Sequence, residues 1–133
     1  MDPVAAVIVV AALATTGVLV ALAPAMKRDH RRRQLAGRAV SGLRYEAYAE
    51  LAEAEGARIL DEARARFDIL EAACVHRVGD LALGELAVWV GVTAAHREAA
   101  FAACRWIIDE VKRRVPIWKN EHYAEGESGW LHP

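Results

Sequence analysis

Apolar positions recur at three- and four-residue steps along His96–Glu121, HREAAFAACRWIIDEVKRRVPIWKNE. Phe101, Cys104, Ile108, Val111 and Val115 fall on one stripe, which predicts an amphipathic helix with that stripe buried. Pro116 has no amide hydrogen to donate and disfavours helical geometry at Val115, so the helix ends there. A second helical pattern starts at Ala47. Tyr48, Ala52, Ile59, Ala63 and Phe67 share a face, with Glu53, Arg58, Asp61, Glu62 and Arg64 on the other side. Glu46, Glu50, Glu53 and Glu55 near its start complement the helix dipole.

Elsewhere the period shortens to two. In VSGLRYEAY (Val40–Tyr48), Val40, Gly42 and Arg44 alternate with Ser41, Leu43 and Tyr45, the pattern of a half-buried strand. Ile69–Val78 and Leu86–Thr93 read as two more strands joined through Gly79–Glu85. LAVWVGVT is apolar on both faces, which places its strand centrally in a sheet. The tail HYAEGESGWLHP reads as a polar turn and a short end carrying one aromatic, Trp130.

The N-terminal run from Pro3 to Met26 has no charged residue, and KRDHRRR follows it directly. Two readings stand. The run is long enough for a membrane helix, and the cations after it would leave the rest of the chain in the cytoplasm. Alternatively, Ala5–Ala14 is a buried element and Gly17–Leu22 (GVLVAL) a strand, divided by Thr15, Thr16 and Gly17. On the second reading the order is strand, strand, helix, strand, strand, helix, tail. That order defines an α+β layer arrangement with two helices against a mixed or antiparallel sheet.

A chain of 133 residues is one domain by length. Its net charge of −1 argues against a dedicated nucleic-acid binder. The basic run Arg28, Arg31, Arg32, Arg33 and Arg38 lacks interleaved aromatics, so no nucleic-acid partner is expected. Cys74 and Cys104 lie on apolar periodic segments outside any Cys/His ligand spacing, which predicts buried reduced thiols and no metal site.

Candidate chemistry gathers at the two ends of the second helix. His96 and Arg97 stand at its start, where free amides and the positive dipole end favour an anion. An arginine there can grip a phosphate in bidentate fashion. Lys112, Arg113 and Arg114 crowd its end, and Lys119 follows the proline break. A lysine among cations has its pKa lowered, which suits a proton carrier or nucleophile. A solvated helix end is the competing reading. His76, at the end of its strand, reads equally as a hydrogen-bonded structural residue or as a ligand.

Four blocks carry a resemblance: GRAVSGLRYEAY (Gly37–Tyr48), VHRVG (Val75–Gly79), AHREAAFAAC (Ala95–Cys104) and VKRRVPIWKNE (Val111–Glu121). Together they resemble the catalytic (large) subunit family of molybdopterin synthase, over about Arg28 to Trp130. The resemblance implies a hammerhead-like α/β fold for a catalytic domain at 27–133, with residues 1–26 contributing its first strand. It also implies a cytoplasmic sulfurtransferase that carries no cofactor of its own. The substrate would be cyclic pyranopterin monophosphate, converted to molybdopterin by inserting two sulfurs as a dithiolene. Its partners would be a second copy of this chain and a small ubiquitin-like sulfur carrier with a C-terminal Gly-Gly thiocarboxylate, together a heterotetramer. By the same resemblance Lys112 and Lys119 are catalytic, His96 and Arg97 hold the substrate phosphate, and Glu121 orients Lys119. The family pattern departs at Ala23–Lys27, so Arg28 is the candidate for a third phosphate ligand. A non-catalytic or membrane-tethered scaffold that keeps the fold is the alternative.

Overall fold

Val88–Ala94 (β6) runs through the middle of a four-stranded antiparallel sheet, as its two-sided apolarity predicts. Its neighbours are β4 (Glu71–Arg77) and β2 (Val18–Leu22), with β1 (Val7–Ala11) outside β4. The computed structural model describes residues 7–11, 18–22, 40–123 and 129–131. Arg28 and the rest of the basic run lie outside them. The two N-terminal strands are registered on β4 (Val9 opposite Val75) and on β6 (Val20 opposite Val92). No helix among the described residues is long and apolar enough to cross a membrane.

A second four-stranded antiparallel sheet has the order β5 (Gly79–Leu81), β3 (Val40–Ala47), β7 (Ile117–Tyr123), β8 (Gly129–Leu131). The fold class is therefore α+β with two main helices, but built on two sheets where the sequence pattern predicts one. The chain passes between the sheets at Gly79, whose φ of 97° is left-handed backbone that a glycine adopts without steric cost. The glycine of VHRVG thus ends one sheet and opens the other. β7 is a strand that the polarity pattern hides. Ile117, Lys119 and Glu121 are buried on one face, and Trp118 is exposed on the other. With charged residues inside and an indole outside, hydrophobic alternation is lost. Pro116 directly precedes the strand, where a missing amide hydrogen is tolerated.

The helices are α1 (Ala49–Arg66) and α2 (Arg97–Arg114), with Val115 as the C-cap of α2 just before Pro116. On α2 the buried residues are Ala100, Ala103, Cys104, Ile107 and Val111, while Phe101 is 51% exposed and Ile108 only partly buried. The buried stripe is thus rotated from the predicted one. Small alanines let the helix lie close to the sheet, close enough for the Cys104 thiol to donate to the Val90 carbonyl at 3.5 Å. Tyr48 is likewise exposed, and α1 buries Ala52, Gly56, Ile59, Leu60 and Ala63. The two helices are tied by Arg114, which donates to Glu55, Glu62 and Glu110.

On the opposite face of the first sheet, the Trp89 indole lies over Gly91, where an added Cβ would collide with the ring. Gly91→Val is expected to force the ring aside and lower stability by about 1–3 kcal/mol. The readout is a lower denaturant midpoint with unchanged helical signal. An unchanged midpoint would show that the ring is not held there.

Candidate functional site

Three side chains on one face of β7 form the polar heart of the second sheet. Lys119, Glu121 and Tyr123 alternate at two-residue spacing, so all three point inward. Lys119 Nζ lies 3.1 Å from Glu121 Oε1, and both residues are almost fully buried. The Tyr123 hydroxyl donates to Glu121 Oε2 at 2.8 Å. A buried ion pair persists where additional hydrogen bonds satisfy its remaining lone pairs, as the tyrosine does here.

The neighbouring strand continues this wall. Tyr45 of β3 is the register partner of Lys119, and Leu43 that of Glu121. The Tyr45 ring meets His76 of β4 edge-on, with centroids 4.9 Å apart. His76 is buried, and its Nδ1 sits 2.7 Å from the Arg77 carbonyl oxygen. A carbonyl only accepts, so Nδ1 carries the proton and Nε2 is left with a lone pair. Burial lowers the pKa of His76 below its ordinary 6.5, and the positive charge of Lys112 lowers it further, against the raising effect of the Arg77 carbonyl. Lys112 itself is exposed on the last turn of α2.

The structure therefore gathers Lys119 and Glu121 beside Tyr45, whose ring meets His76. It does not bring His96 and Arg97 to them. Those two residues, both exposed, stand at the N-cap and first position of α2. Lys112 lies fifteen residues further along, about 22 Å at 1.5 Å per residue.

The expected crowd of cations is also resolved differently. Arg113 is bonded to Glu110, and Arg114 to three carboxylates, so neither guanidinium is left to act on an incoming anion. Lys119 is buried in an ion pair and not placed in a solvated turn. Among the described residues Lys112 alone of this group has no carboxylate partner.

Tyr45 and His76 are the wall residues that periodicity does not single out. The signal for His76 was the VHRVG block itself; Tyr45 looked like an ordinary inward strand position. The thiols are remote from this chemistry. Both are buried, and burial pushes Cys74 up to about 12, which suits core packing and not nucleophilic attack. Among the described residues no group of His, Cys, Asp and Glu could hold a metal ion.

Fold and site together define a two-sheet α+β protein with a lysine buried against a carboxylate on one strand of its second sheet. The profile of the MoaE protein family matches residues 4–114. Over 91 residues the chain is 54% identical to a molybdopterin synthase catalytic subunit from Pyrococcus abyssi, covering 68% of this chain and 62% of that protein. It is 48% identical over 91 residues to one from Thermoplasma volcanium, covering 68% of this chain and 66% of that one. The crystal structure of molybdopterin synthase from Staphylococcus aureus superposes with a TM-score of 0.72 at 29% identity, covering 86% of this chain and 80% of that one. The chain belongs to the MoaE family. Its matched region spans slightly less than two thirds of the length of these two curated relatives.

Proposed function

We propose that this chain is the large subunit of a molybdopterin synthase, a cytoplasmic sulfurtransferase that converts cyclic pyranopterin monophosphate into molybdopterin. Sulfur arrives as the C-terminal Gly-Gly thiocarboxylate of a small ubiquitin-like subunit. The observation that carries the reading is the buried Lys119–Glu121 pair on β7, together with Lys112 on the last turn of α2, which has no carboxylate partner among the described residues. Two anions, a phosphate and a thiocarboxylate, must meet in one pocket, and cations placed in advance offset their repulsion. Lys119 has its charge offset by Glu121, so Lys112 is the group with charge to spare for the thiocarboxylate and for proton transfer. His96 and Arg97 supply the exposed helix N-terminus that suits the phosphate, with Arg28 as a third member.

A span of about 22 Å along α2 keeps those halves apart within one chain. In a two-fold homodimer the start of α2 from one copy can face the lysine pocket of the other. The small subunit then completes a heterotetramer. β1 and β2 support reading residues 1–26 as part of the same domain as 27–133. No observation favours the scaffold alternative.

Product formation tests this reading. Purified protein, thiocarboxylated small subunit and cyclic precursor should give dithiolene product, with Lys112→Ala and Arg97→Ala each nearly inactive. Mixing the two variants under conditions of subunit exchange should restore about a quarter of wild-type activity, because half of a random two-fold population is mixed and each mixed dimer keeps one intact site. Failure of the mixture to recover would place both halves of the site in one chain. No product from the wild-type protein would remove the sulfurtransferase reading.

A further inference from the structure

Tyr123 closes the row of side chains on β7 that begins with Lys119 and Glu121. We propose that Tyr123 is a positioning residue of the site: its hydroxyl holds the Glu121 carboxylate in one orientation, and that carboxylate sets where the Lys119 ammonium stands when an anion enters. The proposal rests on the sulfurtransferase reading, which supplies the anion as the thiocarboxylate of the sulfur carrier.

The two oxygens of Glu121 are divided between its neighbours along the strand. Oε1 lies 3.1 Å from Lys119 Nζ, and Oε2 accepts from the Tyr123 hydroxyl at 2.8 Å. An ionised carboxylate only accepts, so the phenol is the donor. Contacts on both oxygens fix the plane of a group that otherwise turns freely about its side-chain bonds. Neighbours in register offer no such hold from their side chains, because Glu121 stands opposite Leu43 on β3 and Gly129 on β8. Neither residue type carries a side-chain donor. The hold given by these bonds runs along β7 itself, at two-residue steps on one face. The Tyr123 ring is anchored in turn, half-buried and packed against the core.

At rest the Lys119 charge is offset by Glu121. An anion arriving in the pocket competes with Glu121 for the ammonium. As the ammonium turns toward it, the carboxylate loses part of its countercharge. Glu121 is 2% exposed, so water does little to replace what is lost. A hydroxyl bonded to an ionised carboxylate makes a stronger bond than one between neutral groups. The Tyr123 bond therefore steadies the carboxylate while Lys119 engages the anion, and keeps it from swinging after the ammonium. Without the hydroxyl the pair still forms, but its orientation drifts. A misplacement of about 1 Å in a catalytic group costs up to about 10²-fold in rate.

The test is a double-mutant cycle on dithiolene formation at saturating precursor and sulfur carrier. Tyr123→Phe removes the hydroxyl and keeps the ring, and Glu121→Gln keeps the volume and removes the charge. Tyr123→Phe should lose about ten-fold in kcat, with KM for the precursor and binding of the small subunit little changed. In the Glu121→Gln background the same change should lose less than about two-fold, because the group through which the tyrosine acts has lost its charge. Equal fold-losses in both backgrounds would show that Tyr123 acts independently of Glu121 and overturn the proposal. Full kcat in Tyr123→Phe would do the same. Denaturation midpoints are measured alongside, and a rate loss that only follows the unfolded fraction would reduce Tyr123 to a packing residue.

A second measurement stands apart from activity. Crystal structures should show Glu121 in one orientation in wild type. In Tyr123→Phe the carboxylate should be turned or split between orientations, with Lys119 Nζ displaced. An unchanged Lys119–Glu121 pair in that variant would sink the proposal. A displaced pair, in a protein whose wild type makes no product, would uphold the positioning contact and reject the sulfurtransferase reading.

Discussion

Lys112→Ala is expected to reduce dithiolene formation by about 10²–10³-fold while leaving the fold essentially as stable as before. The side chain is exposed and without a carboxylate partner among the described residues, so its removal breaks no hydrogen bond and opens no cavity. Surface substitutions of this kind change stability by about 0.5 kcal/mol or less. On the proposed reading, the transition state loses the lysine whose charge no carboxylate among the described residues offsets. Steady-state assay alongside chemical denaturation separates the two effects. A drop in denaturation midpoint matching the loss of activity would contradict this role. So would near-normal turnover at a normal midpoint.

Lys119→Ala should behave in the opposite manner, damaging fold and activity together. Removing the ammonium leaves the Glu121 carboxylate buried with the Tyr123 hydroxyl donating to it but without its countercharge. Breaking one side of such a pair costs about 3–5 kcal/mol. The second sheet should therefore unfold at a distinctly lower denaturant concentration. Lys119→Met with Glu121→Gln removes both charges and keeps the volume, so it should recover most of the stability without recovering activity. If the double variant is no more stable than Lys119→Ala, the loss comes from packing and not from the orphaned charge. The two lysines would then differ less in kind than their burial implies.

Several elements were legible because their causes are local. Pro116 stops α2 by its own covalent structure, and the apolar run of β6 marks a central strand wherever the chain takes it. The alternation at Val40–Ala47 likewise predicts the strand and its inward residues, Leu43 and Tyr45. The four sequence blocks pointed to the family, and the profile match upholds that. Misreadings arose where local preference and tertiary role disagree. Phe101 scored as a buried residue, yet alanines occupy the contact face of α2 because close approach to the sheet needs small side chains.

β7 makes the same point at the site. Lys119 and Glu121 look solvated by composition, and only their mutual neutralisation inside the second sheet makes burial possible. Sequence spacing also placed Lys112, Arg113 and Arg114 in one cationic cluster. The carboxylates that occupy the two arginines come in part from α1, some fifty to sixty residues earlier.

By itself, the sequence determined the helix ends, the central strand, the family and the residue types of the pocket, since each depends on covalent geometry or on a contiguous pattern. Tertiary structure alone decided which charges among the described residues are paired with a carboxylate and which are not, and which side chains of β7 leave water together. Those outcomes depend on distances between segments remote in sequence, and on whether a charge finds its counter-charge before it leaves water.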